Sequence, residues 1–408
     1  MRVLIVTQYF WPENFRINDV AQGLRNRGHD VTVYTGKPNY PEGRFFPGYG
    51  FFGHSDETFG GVQVIRVPLV PRGGGGSFRL ALNYLSFAFF ASLLAPFRVY
   101  GDFDVIFVYE PSPITVGLPA LVLKALKRAP LLFWVQDLWP ESLVAADVVR
   151  SRRILAGIER LVRFIYRRCN RILVQSQAFV EAILPYGIPR AQILFFPNTA
   201  EALYRPVELE PDAPERAQVP AGFRVMYAGN IGAAQDFATI LGAADRLRDE
   251  ASIQWIILGD GTARQWVESE IKRRGLGNSV HLLGRQPVES MPRLFALADV
   301  MLVSLRHDPI LALTLPSRVQ SYLACGRPII AALDGEGARV IKEAGAGIVP
   351  GSGDPDTLAR AVMAIYRMPD SARQAMGLRG RRYFEKHFER ETLLSRLEAW
   401  MRDLARSR

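Results

Sequence analysis

The turn Tyr227-Ala-Gly-Asn-Ile-Gly232 is the first feature with chemistry in it. It follows a short β-type run, Arg224–Ala228, and precedes a helical stretch around Phe237–Leu247. Glycines there let backbone N–H groups approach a phosphate at a helix N-terminus, although a plain structural turn has the same signature. The full G-x-G-x-x-G of a dinucleotide site is absent, and the first apolar run (LIVTQYF) has no such loop either, which counts against a nicotinamide enzyme. Asp102-Phe-Asp104 has the spacing of a metal-binding D-x-D. It stands directly before the run Val105–Val108, where it serves better to begin a strand. The five histidines are scattered, and no metal site is expected. Cys169 and Cys325 are too few for a disulfide framework or a Cys-rich zinc site, and they fit a reducing cytosol.

Such residues need elements to hold them. Short apolar runs at Arg2–Thr7, Val31–Tyr34, Val105–Val108, Leu131–Val135 and Ile172–Val174 alternate with helical periods. The alternation predicts a parallel sheet covered on both faces. The pattern restarts at Arg224–Ala228 and continues through Ile253–Leu258, Val280–Leu283, Val300–Val303 and Pro328–Ala332. Between the two series, residues 206–220 carry four prolines and read as a linker. The expected organisation is an α/β chain: a first domain over 1–205, the linker 206–220, a second domain over 221–370 and a terminal helical segment over 371–408 that can pack back on the first domain. Two doubly wound domains place a ligand in the cleft between them, near the carboxyl ends of the strands.

The chain has 408 residues, with 50 Lys+Arg (only six Lys) against 40 Asp+Glu, a net charge of +10. Residues 1–205 hold 23 basic and 15 acidic side chains, and residues 206–408 hold 27 and 25. The surplus therefore lies in the first half. There, residues 151–168 form an amphipathic helical pattern. Ile154, Leu155, Ile158, Leu161, Val162 and Ile165 share one side, and Arg152, Arg153, Arg160, Arg163 and Arg167 the other. Nucleic acid is the rival partner for such charge, but no helix-turn-helix or RNA module accompanies it. Leu80–Val99 is nearly apolar yet interrupted by Asn83, Ser86, Ser92, Pro96 and Arg98, and reads as a buried or interfacial helix rather than a span. The chain enters its first strand at Val3 with no signal-peptide pattern.

A further set of motifs comes in order: Leu258-Gly-Asp-Gly261, His281-Leu-Leu-Gly-Arg-Gln-Pro287, Met291-Pro, Ala298-Asp299, Leu315-Pro-Ser-Arg-Val-Gln-Ser-Tyr-Leu-Ala-Cys-Gly-Arg-Pro328 and Gly345-Ala-Gly-Ile-Val349. With Gly28-His-Asp-Val-Thr-Val33, Asp137-Leu-Trp-Pro-Glu-Ser142 and Pro197-Asn198, the ordered set resembles glycosyltransferase family 4, a GT-B fold of two Rossmann-like domains. Within that family it resembles the bacterial O-antigen, capsule and exopolysaccharide transferases of fucosaminyl type.

The resemblance implies a retaining, metal-independent transferase using a nucleotide sugar, UDP-linked in most members, and no cofactor. Donor contacts carry over to Gly229, Asn230, Ile231 and Gly232 for the diphosphate. Arg285 and Gln286 would meet the base, and Pro316, Ser317, Arg318 and Ser321 stand at the helix start beside the phosphates. Arg318 supplies a fork-shaped cation suited to phosphate oxygens and is the expected catalytic stabiliser of the leaving group. Many members carry two glutamates with seven residues between them; here Leu313 and Ser321 take those places, and Asp308 is the candidate replacement at the sugar. On the acceptor side, Asp137 stands where members have an acid after a His, and as a strand-end carboxylate it suits taking the acceptor's proton. Glu13, Asn14, Arg16 and Glu110 are the acceptor-binding candidates.

A lipid-linked acceptor would bring the first domain to a membrane. Arg153, Arg160, Arg163 and Arg167 are the expected contacts with an anionic surface, which places the protein on the cytosolic face of the inner membrane. Two other readings share the two-lobed fold: a nucleotide-sugar 2-epimerase, and a non-catalytic donor- or lipid-binding partner in an assembly complex.

Overall fold

The computed structural model describes residues 1–53, 56–74, 76–145, 149 and 151–407. It divides into two units, Met1–Pro197 with Leu394–Arg408, and Asn198–Leu393.

In the first unit, eight strands pair in the order β3-β4-β2-β1-β5-β6-β7-β8. They are β1 (Arg2–Val6), β2 (Asp30–Gly36), β3 (Asp56–Phe59), β4 (Val62–Val67), β5 (Val105–Glu110), β6 (Leu131–Val135), β7 (Arg171–Val174) and β8 (Ile193–Phe195). All neighbours are parallel except β3 and β4. The runs Val3–Val6, Val105–Glu110 and Leu131–Val135 are buried throughout, as a sheet covered on both faces requires. Trp134 anchors this core: its indole stacks on Phe107 at 5.9 Å, lies 4.7 Å from Phe196, and donates to Phe196 O at 2.9 Å. Strand order reverses between β1 and β5, so the loops after those strands flank a crevice.

Two helices of this unit turn apolar side chains outward. Ser77–Arg98 packs Asn83, Tyr84, Phe87, Ala88, Ala91 and Ala95 inward, and Tyr34 Oη donates to Ala91 O at 2.8 Å. Its other face carries Phe78, Leu82, Leu85, Phe89, Leu93 and Phe97, all 40–79% exposed and three or four residues apart. That is an unbroken apolar stripe along the outside of a helix long and apolar enough, by length and composition, to cross a membrane. Arg152–Tyr166 buries only Val162, Ile165 and Tyr166, leaving Ile154 and Phe164 exposed. Of the six-residue apolar side read from the sequence, Val162 and Ile165 are buried, Leu155, Ile158 and Leu161 half-buried, and Ile154 exposed.

The second unit holds a six-stranded, wholly parallel sheet in the order β11-β10-β9-β12-β13-β14. Its strands are β9 (Phe223–Ala228), β10 (Ile253–Leu258), β11 (Val280–Gly284), β12 (Val300–Ser304), β13 (Ile329–Ala332) and β14 (Gly347–Ile348). This is the Rossmann order, with its switch point between β9 and β12.

The boundaries need correction. Residues 206–220 are not a free linker: Ala213, Glu215 and Val219 are buried, and Arg293 grips Glu215 with two bonds of 2.5 and 3.0 Å. A proline-rich composition does not reveal such a partner. The terminal segment does pack back on the first unit, but only from Leu394 onward; up to Leu393 it stays with the second. There Glu398 meets His29 at 3.0 Å and Arg27 at 3.2 Å, and Trp400 packs 6.0 Å from Phe196. Counted by unit, the first holds 26 Lys+Arg against 16 Asp+Glu, and the second 24 against 24. The whole surplus of charge belongs to the first unit.

Candidate active site

At the switch point of the second unit, three strand ends are tied together by backbone bonds. Gly229 N donates to Leu258 O (2.9 Å), Ile231 N to Asp260 O (2.9 Å), Gly259 N to Gly284 O (2.8 Å), and Ala263 N to Ile231 O (2.9 Å). Gly259 has φ +140°, and a Cβ there would lie 1.9 Å from Gly229 O. Both the conformation and the space therefore require glycine. Gly259→Ala is expected to cost about 3 kcal/mol or more. Calorimetry should show this as a melting temperature lower by roughly 10 °C.

Arg318 lies beneath this turn. It is the second residue of the helix Ser317–Ala324. Its guanidinium carbon sits 4.8 Å from the Tyr227 ring centroid and 3.1 Å from where a Cβ on Gly229 would be. Its Nη1 is buried without a hydrogen-bond partner, and no carboxylate pairs with it among the described residues. Ser304 Oγ, two residues past the Leu302–Tyr227 pairing, is likewise buried without a partner. Tyr322 fixes the helix to the strand end, accepting from Ala228 N at 2.9 Å and donating to Ala228 O at 3.1 Å. The switch point thus holds a cation with a free donor, a glycine turn and a helix N-terminus, a combination suited to a phosphate group.

The other donor candidates fall unevenly around it. Asn230 is exposed, with Nδ2 donating to Gln235 Oε1 at 3.3 Å, and Gly232 begins the following 3₁₀ turn. Ile231 is fully buried, and its N–H and C=O are taken by Asp260 O and Ala263 N, which removes it as a direct ligand contact. Pro316 caps the helix and Ser317 is exposed. Ser321 is buried and donates its hydroxyl to Ser317 O at 3.4 Å, which removes it as a direct ligand contact. Arg285 is exposed beyond β11, while Gln286 Nε2 is held by Leu283 O at 2.9 Å. Asp308 does not replace the missing glutamates. Its Oδ1 caps the helix Pro309–Leu313, accepting from Ile310 N and Leu311 N at 2.9 and 3.2 Å.

In the first unit, the candidate carboxylates gather on the loops after β1, β5 and β6. Asp137 follows β6 and is half-buried; Trp139 Nε1 donates to its Oδ2 at 3.3 Å and to Ser112 Oγ at 3.2 Å. Burial outweighs the hydrogen bonds from Ser142, Trp139 and Ser112 and raises the carboxyl to about 6. Asn14 is exposed, and Arg16 opens the helix Arg16–Asn26 half-buried.

Two acceptor candidates are corrected. Glu13 is buried and turned inward: its Oε1 accepts from Asn39 N and Tyr40 N, each at 2.8 Å, and its Oε2 from Phe10 N at 3.2 Å. It joins two loops, and burial raises it to about 7 against the pull of those bonds. Glu110 is wholly buried, neither carboxylate oxygen has a hydrogen-bond partner, and desolvation holds it well above the usual range. A strand-end acid is legible in sequence; whether it points out or in is not. Residues 102–104 likewise act on the fold, with Asp104 Oδ2 accepting from Arg2 N at 2.7 Å.

Among the membrane candidates, Arg153 and Arg160 are exposed. Arg163 pairs with Glu159 at 3.2 Å, and Arg167 donates to Tyr186 O at 3.2 Å. The sequence reading missed Tyr227, Ser304 and Tyr322 as site residues; their signal was a polar or aromatic residue in the last positions of a strand, or one helical turn from Arg318.

Comparison with known proteins agrees with this geometry. Residues 14–199 match the family model of the glycosyl transferase 4-like domain, and residues 215–383 that of glycosyl transferases group 1. The chain is 25% identical over 351 residues to WcaI of Escherichia coli (strain K12), named as a glycosyl transferase of colanic acid biosynthesis, covering 80% of this chain and 82% of that protein. Among solved structures, Anabaena Alr3699/HepE in complex with UDP superposes with a TM-score of 0.70 at 15% identity, over 99% of this chain and 100% of that one. WaaG, a glycosyltransferase involved in lipopolysaccharide biosynthesis, gives 0.61 at 15% identity over 97% and 98%. With two Rossmann-type sheets and both domain matches in chain order, the protein is a glycosyltransferase and belongs to family 4, with the GT-B fold.

Proposed function

We propose that this transferase moves a sugar from a UDP-sugar to a lipid-linked saccharide in bacterial surface polysaccharide synthesis, with retention of configuration and without a metal ion or cofactor. The observation that carries the reading is Arg318, a half-buried arginine whose Nη1 is buried with no partner beneath a glycine turn. As the bond from the anomeric carbon to the β-phosphate oxygen breaks, its electron pair stays on the phosphate. Arg318 and the N–H groups at the start of the Ser317–Ala324 helix stabilise that charge. The acceptor hydroxyl forms the new bond on the face from which the phosphate departs, which retains the configuration, and gives its proton to Asp137, whose raised pKa makes it a competent base near neutral pH. The polysaccharide assignment follows the WcaI relation, and UDP the complexes of the HepE neighbour. The +10 first unit and the outward stripe of the Ser77–Arg98 helix support an anionic membrane surface on the cytosolic side as the working location.

UDP at a hundredfold over its dissociation constant is expected to stabilise the chain by about 2.7 kcal/mol. That is a rise of roughly 5–10 °C in melting temperature. GDP and ADP should give less. No shift with any nucleoside diphosphate, and no turnover on polyprenyl-diphosphate-linked saccharides, would refute the assignment.

A further inference from the structure

Beside the exposed stripe, an open groove of about 910 Å³ lies among the helices Ser77–Arg98 and Gly117–Lys127 and the end of Arg152–Tyr166. This is within the ~300–1,000 Å³ range of small-molecule sites. Leu118, Leu121, Val122 and Ala125 supply its apolar lining, and Ser92 connects it to the striped helix. Lys124, Arg128, Arg167 and Arg168 also line it, without a single carboxylate.

None of these four cations has a carboxylate partner among the described residues; backbone and ring contacts hold them instead. Lys124 Nζ donates to Arg168 O, Arg167 Nε to Tyr186 O at 3.2 Å, and Arg168 Nη1 to Phe164 O at 3.1 Å. The Arg168 guanidinium also lies 3.7 Å from the Phe164 ring centroid. Arg128 ends the Gly117–Lys127 helix in the left-handed conformation, φ 51° and ψ 29°, a position where glycine is usual. An arginine kept at that conformational cost implies that its side chain is used.

We infer that this groove binds one anionic phospholipid, an acyl chain against Leu118–Ala125 and the phosphate among Arg128, Arg167 and Arg168. Charge complementarity selects the headgroup, and the apolar lining, in a groove that reaches the striped helix at Ser92, selects a lipid over a free ion. The inference rests on the membrane reading above and makes it specific: a bound lipid, not only a charged surface.

The test is photolabelling of the full chain on phosphatidylcholine vesicles containing phosphatidylglycerol with a diazirine in its acyl chain. Label is expected in Gly117–Lys127 as well as Ser77–Arg98. Glycerol phosphate should not displace it, and displacement would mean an ion site and overturn the lipid. Ala125→Trp, at an exposed position, should abolish the groove label while sedimentation with vesicles persists. Arg128→Gly should weaken sedimentation about fivefold, the effect of one surface cation, with the melting temperature unchanged or raised because the left-handed cap is relieved. Label confined to Ser77–Arg98 would overturn the groove and leave the membrane reading standing. Failure of the wild-type chain to sediment with anionic vesicles would overturn both.

Discussion

Arg318→Ala is expected to lower kcat by about two to three orders of magnitude, the usual loss when a preorganised donor to a developing anion is removed. Among the described residues of its unit, Arg318 is the one arginine with a buried nitrogen that has no hydrogen-bond partner. Arg246, Arg264, Arg273, Arg293 and Arg339 all meet carboxylates, whereas Arg318 rests on Tyr227 with a buried nitrogen unpaired. Because no intramolecular ion pair is lost, the variant should fold with wild-type stability or better, relieved of an unsatisfied buried donor. Arg318→Lys should recover only part of the activity, since an ammonium lacks the planar fork that meets two phosphate oxygens. The stabilisation by UDP should fall in the same order. Wild-type turnover in Arg318→Ala would remove the proposed catalytic role.

Asp137→Asn is expected to lower kcat by about 10²–10⁴-fold if the carboxylate accepts the acceptor's proton. The pH dependence is the sharper measurement. With the carboxyl raised to about 6, the wild-type enzyme should lose activity as pH falls through about 6, because the base becomes protonated. The asparagine variant should lack that limb. Stability should move the opposite way. A carboxyl raised by burial binds its proton more tightly in the fold than in the unfolded chain, so stability declines as pH rises from about 4 to about 6. Above that window the ionised group is a cost, and Asp137→Asn should be neutral or stabilising by about 1–3 kcal/mol at pH 8. A variant both less active and more stable marks a residue kept for chemistry; unchanged activity would assign Asp137 to the turn before Pro140.

Much of the scaffold was legible because buried parallel strands are continuous apolar runs. Val3–Val6, Leu131–Val135 and Ile253–Leu258 announce themselves, and their order with intervening helices implies two doubly wound sheets. The short antiparallel edge strand Asp56–Phe59 did not, since half its residues face solvent and carry charge. Arg318 could be found from the Pro-Ser-Arg sequence at a helix start. Glu13 and Glu110 could not be sorted from Asp137, because all three are acids in or just beyond strand ends and only packing decides their direction. Glu13 found three backbone N–H groups, Glu110 found none, and Asp137 kept one side open. The Pro206–Pro220 stretch failed for the same reason: its fate depended on Arg293, more than seventy residues further along the chain.

The return of Leu394–Arg408 to the first unit has a consequence for how the protein is made. Synthesis runs from the N-terminus, and domains generally fold as they emerge. Here His29, Arg27 and Phe196 wait for Glu398 and Trp400, which are translated only after the whole second unit. The first unit emerges first and is completed only after the second has emerged, while the second can close before that. The first unit's outward apolar stripe is therefore already exposed before that unit is sealed, so a truncation removing Leu394–Arg408 acts on the first unit.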